Sequence, residues 1–284
     1  MKIGEIMNAN VLTISQDQPV SAAAQLMREQ NVGGLVVLNS NGSLAGIVTS
    51  RDLRGAPADQ PLRETMSRKL TVIQPETSLW EAIEVMNAAG VERLPVVAGG
   101  KLIGIVTKTV LLTVIARHTD SLTGLYTAVY LRDVAERLLR TVPEISIAFI
   151  DVDDFGLTNK RFGHAKGDWC LCLLADLLRK HTVANEDFPC RFGGDEFAVA
   201  SSRPLTAALD WARTFLNAVN NAPQPVPISI SIGIAGGRRC NLRPGTNPPE
   251  VIENLINLAS LACTKAKINQ TGIEIASGKS PLVN

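Results

Sequence analysis

Five carboxylates follow directly after two stretches of sequence that are typical of β-strands. They are Asp151, Asp153 and Asp154, in ISIAFIDVDDFG, and Asp195 and Glu196, in RFGGDEFAVA. Unpaired carboxylates that lie close together raise one another's pKa, so a divalent cation is their natural counter-charge. Such a group at one edge of a sheet indicates a metal-dependent nucleotidyl transferase, in which the metal neutralises phosphate and activates a hydroxyl. An ordinary surface hairpin with polar residues at its turn is the alternative.

A buried strand and a hairpin are the elements that must bring these carboxylates together. The apolar run 145–150 predicts a strand that is buried on both faces, and ligands in open α/β sheets gather at the carboxyl ends of strands. Gly193-Gly194 predicts a tight hairpin turn, because glycine tolerates positive φ, and its strands should lie beside the buried strand. Between them we expect a polar loop and then a helix that begins near Gly167-Asp168, with Asp168 favoured in its first turn by the helix dipole.

Composition and charge exclude several classes of protein. The 284 residues suggest about two domains, and 45% hydrophobic with 19% charged residues indicates a globular chain. Because 28 Lys and Arg nearly balance 27 Asp and Glu, no overall field favours nucleic acid or an anionic membrane as a partner.

The five cysteines lack a C-x-x-C pair, which argues against a disulfide framework or a zinc site, and Cys170 and Cys172 are expected to be packing residues. No apolar stretch approaches the ~20 residues that span a bilayer, so a soluble cytoplasmic protein is expected.

The first 110 residues contain an internal repeat. The segment that begins at Met7 is matched by the segment that begins at Met66, and each continues into an apolar strand and the sequence G-I-V-T. Each unit predicts a short strand, an amphipathic helix and two further strands joined by a glycine-rich turn, with Ser21 and Thr77 as plausible helix N-caps. Two units of this size are expected to bury their faces against each other as a pseudo-twofold pair with a cleft between them.

Residues 1–115 resemble a tandem cystathionine-β-synthase-type (CBS) pair, with repeats at about 1–57 and 58–115. The resemblance implies a regulatory module that binds AMP, ATP or another adenosine ligand in the cleft between the repeats. It also implies that the ligand regulates whatever the rest of the chain does.

The nucleotide motif of that family is complete in the first repeat alone. The sequence G-I-V-T-x-x-D ends at Asp52, which the resemblance places on the ribose hydroxyls, while Thr49 would contact phosphate. The second repeat keeps Thr107 but has Val110 where the aspartate should be. One intact site is therefore expected rather than two. A helix N-cap is the alternative role for Thr49 and Asp52.

Residues 116–284 resemble the GGDEF domain of diguanylate cyclases. Four motifs occur in the family's order: D-x-L-T-G-L from Asp120, D-x-D-x-F from Asp151, F-G-H-x-x-G-D from Phe162 and G-G-D-E-F from Gly193. The resemblance implies an adenylyl-cyclase-like palm, an α/β (α+β) fold with a mostly antiparallel sheet, which a linker helix at about 109–120 enters. It implies condensation of two GTP into cyclic di-GMP, with release of pyrophosphate, between the two facing protomers of a homodimer.

The same resemblance implies roles for individual residues. Mg²⁺ (or Mn²⁺) would be held by Asp151, the Val152 carbonyl, Asp195 and Glu196, and Asp195 would help to deprotonate a ribose 3′-hydroxyl. Residues at the positions of substrate contacts are Phe155, Asn159, His164, Asp168 and Lys267. Asn159 and Asp168 would recognise guanine. From the residues alone, Asp168 is equally a helix-capping acid, Asn159 a turn residue and His164 a residue that shapes its loop.

The sequence departs from the family at several polar positions. The substitutions are Thr127 and Ala128 for Asn-Arg, Gly156 for a lysine and Thr271 for an arginine. Each lost cation removes on the order of 1–3 kcal/mol of charge-assisted hydrogen bonding to a triphosphate. A catalytically weak or silent GTP-binding or dimerisation module is therefore the alternative function. The product-inhibition motif R-x-x-D has Ala184 in place of its arginine and keeps Asp187, so no product inhibition through that site is expected.

Overall fold

The structure is a computed structural model that describes residues 1–224, 226–238 and 247–276. The chain divides into two compact units, Met1–Ala116 and Arg117–Asn284. Both units mix helices with strands, which confirms the predicted α/β (α+β) fold class. In the described ranges no helix is both long enough and apolar enough to cross a membrane.

The first repeat of the N-terminal unit is a small sheet with one helix packed on it. Its elements are β1 (Thr13–Ser15), α1 (Val20–Glu29), β2 (Gly34–Leu38) and β3 (Leu44–Thr49). Strand β1 pairs parallel to β2, and β2 pairs antiparallel to β3. The helix buries Val20, Ala23 and Met27, which lie on one face because of their spacing, in a core with Leu35 and Val37 of β2. The short helix α2 (Leu62–Thr65) follows.

The second repeat has the same order. Its elements are α3 (Leu79–Ala89), the antiparallel pair β4 (Arg93–Ala98) and β5 (Lys101–Thr107), and α4 (Lys108–Arg117). Both hairpins carry an irregularity at equivalent positions, Val37/Leu38 and Val96/Val97. The leading strand expected in this repeat is reduced to a single parallel bridge between Ile73 and Val96. Helix α4 ends at Arg117, three residues short of the predicted 109–120 helix.

The two repeats are interlocked through their leading segments. Asn8 bridges to Ile105 of the second repeat, and Ser67 bridges to Ile47 of the first. The glycine of each G-I-V-T sequence makes room for this exchange. A Cβ at Gly46 would lie 2.7 Å from the Ser67 carbonyl oxygen, and a Cβ at Gly104 would collide with Met7. The repeated glycines therefore exist because another segment crosses directly over them.

The two predicted N-caps are wrong by one or two residues. Ser78, not Thr77, caps α3, since its hydroxyl accepts from the Glu81 N–H at 3.1 Å. Helix α1 begins directly after Pro19, whose extended backbone sets the helix start, and Ser21 lies inside the first turn.

The described residues of the C-terminal unit form a six-stranded sheet with helices on both faces. In chain order its elements are β6 (Tyr126–Thr127), α5 (Ala128–Thr141), β7 (Glu144–Val152), α6 (Phe155–Phe162), α7 (His164–His181), β8 (Asp187–Gly193), β9 (Glu196–Ser201), α8 (Leu205–Asn221), β10 (Ile230–Arg238), α9 (Pro248–Asn269) and β11 (Ile273–Ile275). The strand order is β11-β10-β7-β9-β8-β6. Strand β7 is antiparallel to both neighbours, and of the described strand pairs the two at the edges are parallel.

Strand β7 is buried on both faces, as its continuous apolar sequence predicts. The even-numbered side chains, such as Ile150, belong to the core that contains α7 and α8. The odd-numbered side chains, such as Ile147 and Phe149, belong to the core that contains α5 and α9. Because side chains alternate along a strand, Asp151 continues the odd-numbered face toward α9.

Candidate functional site

The antiparallel pairing of β7 with β9 places Asp151 opposite Glu196. Directly opposite residues of such a pair project from the same face of the sheet. The next residue, Val152, is buried, and its N–H donates to the carbonyl of Asp195 at 3.3 Å. The acids of the two motifs, which are far apart in sequence, therefore meet at one end of the central strand pair.

The turn between β8 and β9 presents Asp195. Gly193 pairs with Glu196, so the two turn residues are Gly194 and Asp195. The expectation that Gly193 and Gly194 form the turn is wrong by one residue, and only Gly194, with φ 37°, has positive φ. The hairpin itself is present as predicted.

Arg191 fixes this turn to the beginning of the unit. Its Nε and Nη2 donate to the Gly194 carbonyl at 2.9 and 2.7 Å, and its Nη1 donates to both oxygens of Asp120 at 2.9 and 3.0 Å. Asp120 also accepts from the backbone N–H and the hydroxyl of Thr123, at 2.8 and 2.6 Å. Burial alone would raise the pKa of the Asp120 carboxyl, but the hydrogen bonds from Thr123 and Arg191 outweigh burial and lower it. Asp120 is thus an anionic anchor for the turn.

The carboxyls of Asp151 and Glu196, at the end of β7 and β9, have raised pKa values. Burial raises the pKa of the Asp151 carboxyl, and the neighbouring Asp195 and Asp153 add to the increase while Lys267 opposes it. Burial likewise raises the pKa of Glu196, followed by the charges of Asp151 and Asp195. Like charges held together in this way favour a bound cation.

Lys267 of α9 supplies one such positive charge. Its Nζ lies 2.6 Å from Asp151 Oδ1, because α9 covers the odd-numbered face of β7. A cavity of about 160 Å³, with Asp151, Glu196 and Lys267 in its lining, lies beside the pair. Lys267, expected at the triphosphate, is therefore paired with Asp151 in this structure.

The acids at this site fit a divalent cation that arrives with a polyphosphate. Within the described ranges, no three His, Cys, Asp or Glu side chains already form a metal-ligand group. Mg²⁺ is commonly bound by one or two carboxylates together with substrate phosphates, and not by a cage made only of protein. Asp151 and Glu196, opposite each other across paired strands and with Asp195 adjacent, supply such a donor set.

Apart from Lys267, the predicted substrate contacts lie on two consecutive helices. The segment expected to be a polar loop is helix α6, and α7 begins at His164, so Asp168 is the fifth residue of α7 and not in its first turn. Both predictions were wrong. His164 and Asp168 are exposed, and Phe155 is half-buried.

The side-chain oxygen of Asn159 is buried without a hydrogen-bond partner in the described part of the chain. It lies where a Cβ at Gly167 would stand, and that Cβ would also be 3.0 Å from Asn159 Cγ and 3.1 Å from Phe155 Cζ. An unpaired buried acceptor is costly unless a ligand satisfies it. Gly167 therefore allows the Asn159 carboxamide to occupy this position.

Asp187, the remaining acid of the product-inhibition motif, is a structural residue. Its side chain is 1% exposed and pairs with Arg203 through two bonds of 2.8 and 2.7 Å. Ser201 Oγ and the Val183 N–H donate to the same carboxylate at 2.6 and 2.8 Å. Burial would raise the pKa of Asp187, but these hydrogen bonds outweigh it and lower the pKa. Both of its oxygens are engaged within the unit.

Replacing Arg203 by alanine is expected to lower the free energy of unfolding by about 3 kcal/mol near pH 7, because it leaves a buried carboxylate unpaired. The folded pKa of Asp187 is lowered, so the stabilisation is present above the unfolded pKa of about 3.9 and is lost as the pH falls through the folded pKa. The difference from the wild type should therefore shrink in acid. Urea unfolding across this pH range measures it.

The matched control for this prediction is Arg213→Ala, since the ion pair of Arg213 with Asp210 is exposed. That change should alter the free energy of unfolding by less than about 0.5 kcal/mol. Equal losses in the two variants would contradict a structural role for the Arg203–Asp187 pair.

The residues of the predicted nucleotide motif line a cavity of the N-terminal unit. Thr49 and Asp52 line a cavity of about 410 Å³. Asp52 Oδ2 accepts from both the backbone N–H and the hydroxyl of Thr49, at 2.7 Å each. Residues 50–55 form turns and no helix, so the helix N-cap considered as the alternative role is wrong. The two hydrogen bonds instead close a local turn in the wall of the cavity. Thr107 lines a different cavity, and its hydroxyl accepts from the Val110 N–H at 3.4 Å.

Sequence reasoning assigned no role to two arginines that organise the C-terminal unit. Arg191 directly precedes the signature turn, and its position next to the glycines could have suggested an anchor. Arg203 pairs with Asp187 from 16 positions away, and no local pattern signals that pairing. Cys170 is buried and Cys172 partly buried, as expected of packing residues, while Cys240 lies outside the described residues.

The family described as "Diguanylate cyclase, GGDEF domain" matches residues 117–272, more than half of the chain. The family described as "CBS domain" matches residues 3–59 and 62–117. The CBS matches cover the N-terminal unit, and the GGDEF match covers most of the C-terminal unit.

Individual proteins resemble one unit or the other. A CBS domain-containing protein of Bacillus subtilis is 34% identical over 110 residues, which cover 37% of this chain and 78% of that protein. An inosine-5′-monophosphate dehydrogenase of Nitrosopumilus maritimus is 32% identical over 105 residues, 37% of this chain but only 22% of the dehydrogenase. The solved GGDEF domain of a Pseudomonas aeruginosa protein is 28% identical, with a TM-score of 0.48, over 55% of this chain and 99% of that structure.

Proposed function

The chain belongs to the GGDEF diguanylate cyclase family and carries a tandem CBS pair, and from this premise we propose that it condenses two GTP into cyclic di-GMP. The observation that supports this best is the meeting of Asp151, Asp195 and Glu196 at one end of β7 and β9. Those carboxylates remain in place although several cations usual in the family are absent.

In the proposed reaction, Asp151, the Val152 carbonyl, Asp195 and Glu196 would hold Mg²⁺ or Mn²⁺, which would supply positive charge to the triphosphate and to the attacking hydroxyl. Asp195 takes the proton from a ribose 3′-hydroxyl. The 3′-oxygen forms a bond to the α-phosphorus of the other GTP, and the bond from that phosphorus to the pyrophosphate breaks. Two such transfers close the ring, so two protomers must face each other, each with one GTP.

Guanine recognition is assigned to α6 and α7. The unpaired Asn159 oxygen can accept from an N–H of the guanine edge, and the exposed Asp168 carboxylate adds a second acceptor. Phe155 is the first residue of α6 and His164 is the first residue of α7, so both lie on the helices that carry Asn159 and Asp168. The Lys267 ammonium pairs with the Asp151 carboxylate. A cation bound to Asp151 would release that ammonium, which could then bind a phosphate of GTP.

Gly167→Ala is expected to lower GTP affinity about tenfold, because the new Cβ displaces the Asn159 carboxamide. In the Asn159→Ala background the same change should cost less than about twofold, since no carboxamide remains to be displaced. Calorimetric titration with GTP measures the affinity of the wild type, the two single variants and the double variant. Thermal unfolding checks that each variant folds. An equal loss in both backgrounds would show that Gly167 acts independently of Asn159.

The CBS pair is proposed to regulate the cyclase through an adenine nucleotide. Binding at Thr49 and Asp52 would favour one arrangement of the dimer, which requires different affinities for two states. AMP, ATP and S-adenosylmethionine are the ligands to test first.

A second candidate function is a GTP-binding or dimerisation module without catalysis. It is favoured by Gly156 and Ala128, which supply no cation, and by the pairing of Lys267 with Asp151. A triphosphate would then be held with fewer charge-assisted hydrogen bonds.

Incubation of the purified full-length protein with GTP and Mg²⁺, followed by chromatography, decides between the two functions. Cyclic di-GMP that disappears when EDTA replaces Mg²⁺ supports the cyclase. Saturable GTP binding without any cyclic dinucleotide supports the module instead. Repeating the assay with AMP, ATP or S-adenosylmethionine tests regulation, because an unchanged rate with all three contradicts it.

A further inference from the structure

Two cavities of the N-terminal unit share one arginine. The first, of about 410 Å³, is lined by Thr49 and Asp52, and the second, of about 440 Å³, by Thr107 and Val110, the equivalent residues of the second repeat. Arg93 lines both cavities.

The position of Arg93 depends on two glycines of the other repeat. A Cβ at Gly33 would lie 2.8 Å from Arg93 Nη2, and a Cβ at Gly34 would lie 3.2 Å from Nε. Gly34 is the residue equivalent to Arg93, so the guanidinium rests near the pseudo-twofold axis against the bare backbone of its own counterpart. Two side chains could not occupy this space together. In the described part of the chain, the guanidinium has no hydrogen bond or ion pair of its own.

The two cavities differ sharply in charge. Besides Arg93, the lining of the first cavity contains three cations, Arg51, Arg54 and Lys69, and two acids, Asp52 and Glu92. None of those three cations is held in an ion pair within the described ranges. The second cavity contains Asn8, Asn10 and mainly apolar side chains, and Arg93 is its one cation among the lining residues described.

We propose that the N-terminal unit binds one nucleoside di- or triphosphate per chain, in the first cavity, and that Arg93 selects it by the charge of its phosphate chain. This inference rests on the proposed nucleotide role of the CBS pair. A di- or triphosphate carries more negative charge than a monophosphate and offers more oxygens to Arg51, Arg54, Lys69 and Arg93. Once Arg93 donates to that ligand, the described lining of the second cavity offers no other cation to hold a phosphate.

Calorimetric titration of the full-length protein with ATP and with AMP tests this inference, in EDTA and without GTP so that no turnover occurs. ATP is expected to bind once per chain and at least about tenfold more tightly than AMP. Arg93→Ala should lower ATP affinity about tenfold and change AMP affinity by less than about threefold, which removes most of the discrimination. Arg93→Lys should retain part of it.

Two further variants separate the position of the guanidinium from total charge. Gly33→Ala keeps every charge but displaces Arg93, and it should lower ATP affinity as Arg93→Ala does. Lys101→Ala removes an exposed cation that lines neither cavity, and ATP affinity should not change.

Four results would overturn the inference: two ATP bound per chain, equal affinities for ATP and AMP, an Arg93→Ala protein that discriminates like the wild type, or no binding of either nucleotide. Thermal unfolding of each variant confirms that it is folded. Cyclase activity is measured separately with GTP and Mg²⁺, so failure of the nucleotide inference and failure of the cyclase proposal give different results.

Discussion

Replacing Asp195 by asparagine is expected to lower the rate of cyclic di-GMP formation by about 10²- to 10⁴-fold. Asparagine keeps the shape of the side chain but can neither accept the 3′-hydroxyl proton nor contribute a negative charge to the cation. The turn should survive, because Arg191 anchors it through the Gly194 carbonyl and Asp120, not through Asp195. Steady-state assays with GTP and Mg²⁺, with the product separated by chromatography, measure the rate.

The matched control for this experiment is Asp210→Asn, which makes the same chemical change at an exposed position on α8. Its rate should equal that of the wild type. GTP affinity of Asp195→Asn, measured in parallel, separates lost chemistry from lost binding. A variant at position 195 that retains more than about a tenth of the wild-type rate would contradict a role for this carboxylate in proton transfer.

Gly233→Ala is expected to lower the free energy of unfolding of the C-terminal unit by about 3 kcal/mol or more. Helix α9 crosses β10 directly above this glycine. A Cβ there would collide with the Ala259 carbonyl oxygen and the Cys263 N–H nitrogen, and would lie 2.8 Å from the Ala262 carbonyl carbon. All three are backbone atoms, so no side-chain rotation can relieve the overlap. Urea unfolding followed by tryptophan fluorescence measures the loss.

Gly156→Ala provides the control, since a Cβ at Gly156 would meet no atom within 4 Å and the backbone there is helical. That change should leave the free energy of unfolding unaltered or raise it by up to about 1 kcal/mol. If Gly233→Ala were as stable as Gly156→Ala, α9 could not pack on β10 as closely as the structure has it.

Elements with a continuous or alternating apolar pattern were the ones that sequence could predict. Strand β7 and the β8–β9 hairpin follow from their buried residues and their glycine turn. Helix α6 was missed because none of its residues is buried, so its sequence shows no strong apolar face. The start of α7 was misplaced for a related reason: His164 and Asp168 are exposed, and the buried residues begin only at Gly167.

The site was predictable to the extent that its residues lie in contiguous motifs. Asp151 and Glu196 could be expected to meet because each follows directly on a strand-like segment. The partners of those acids could not be predicted in the same way. Lys267 reaches Asp151 from 116 positions away, a contact that depends on α9 covering the odd-numbered face of β7. Such contacts are a property of topology, which local patterns do not encode.

The ion pair between Arg191 and Asp120 has a mechanical consequence. Asp120 lies three residues after Arg117, where the C-terminal unit begins, and the same guanidinium holds the carbonyl of the turn that presents Asp195. The chain that enters this unit and the tip of the hairpin are therefore joined through the side chain of Arg191. A pull or twist along the incoming backbone would therefore reach Asp195, the residue proposed to take the proton, without first passing through the hydrophobic cores.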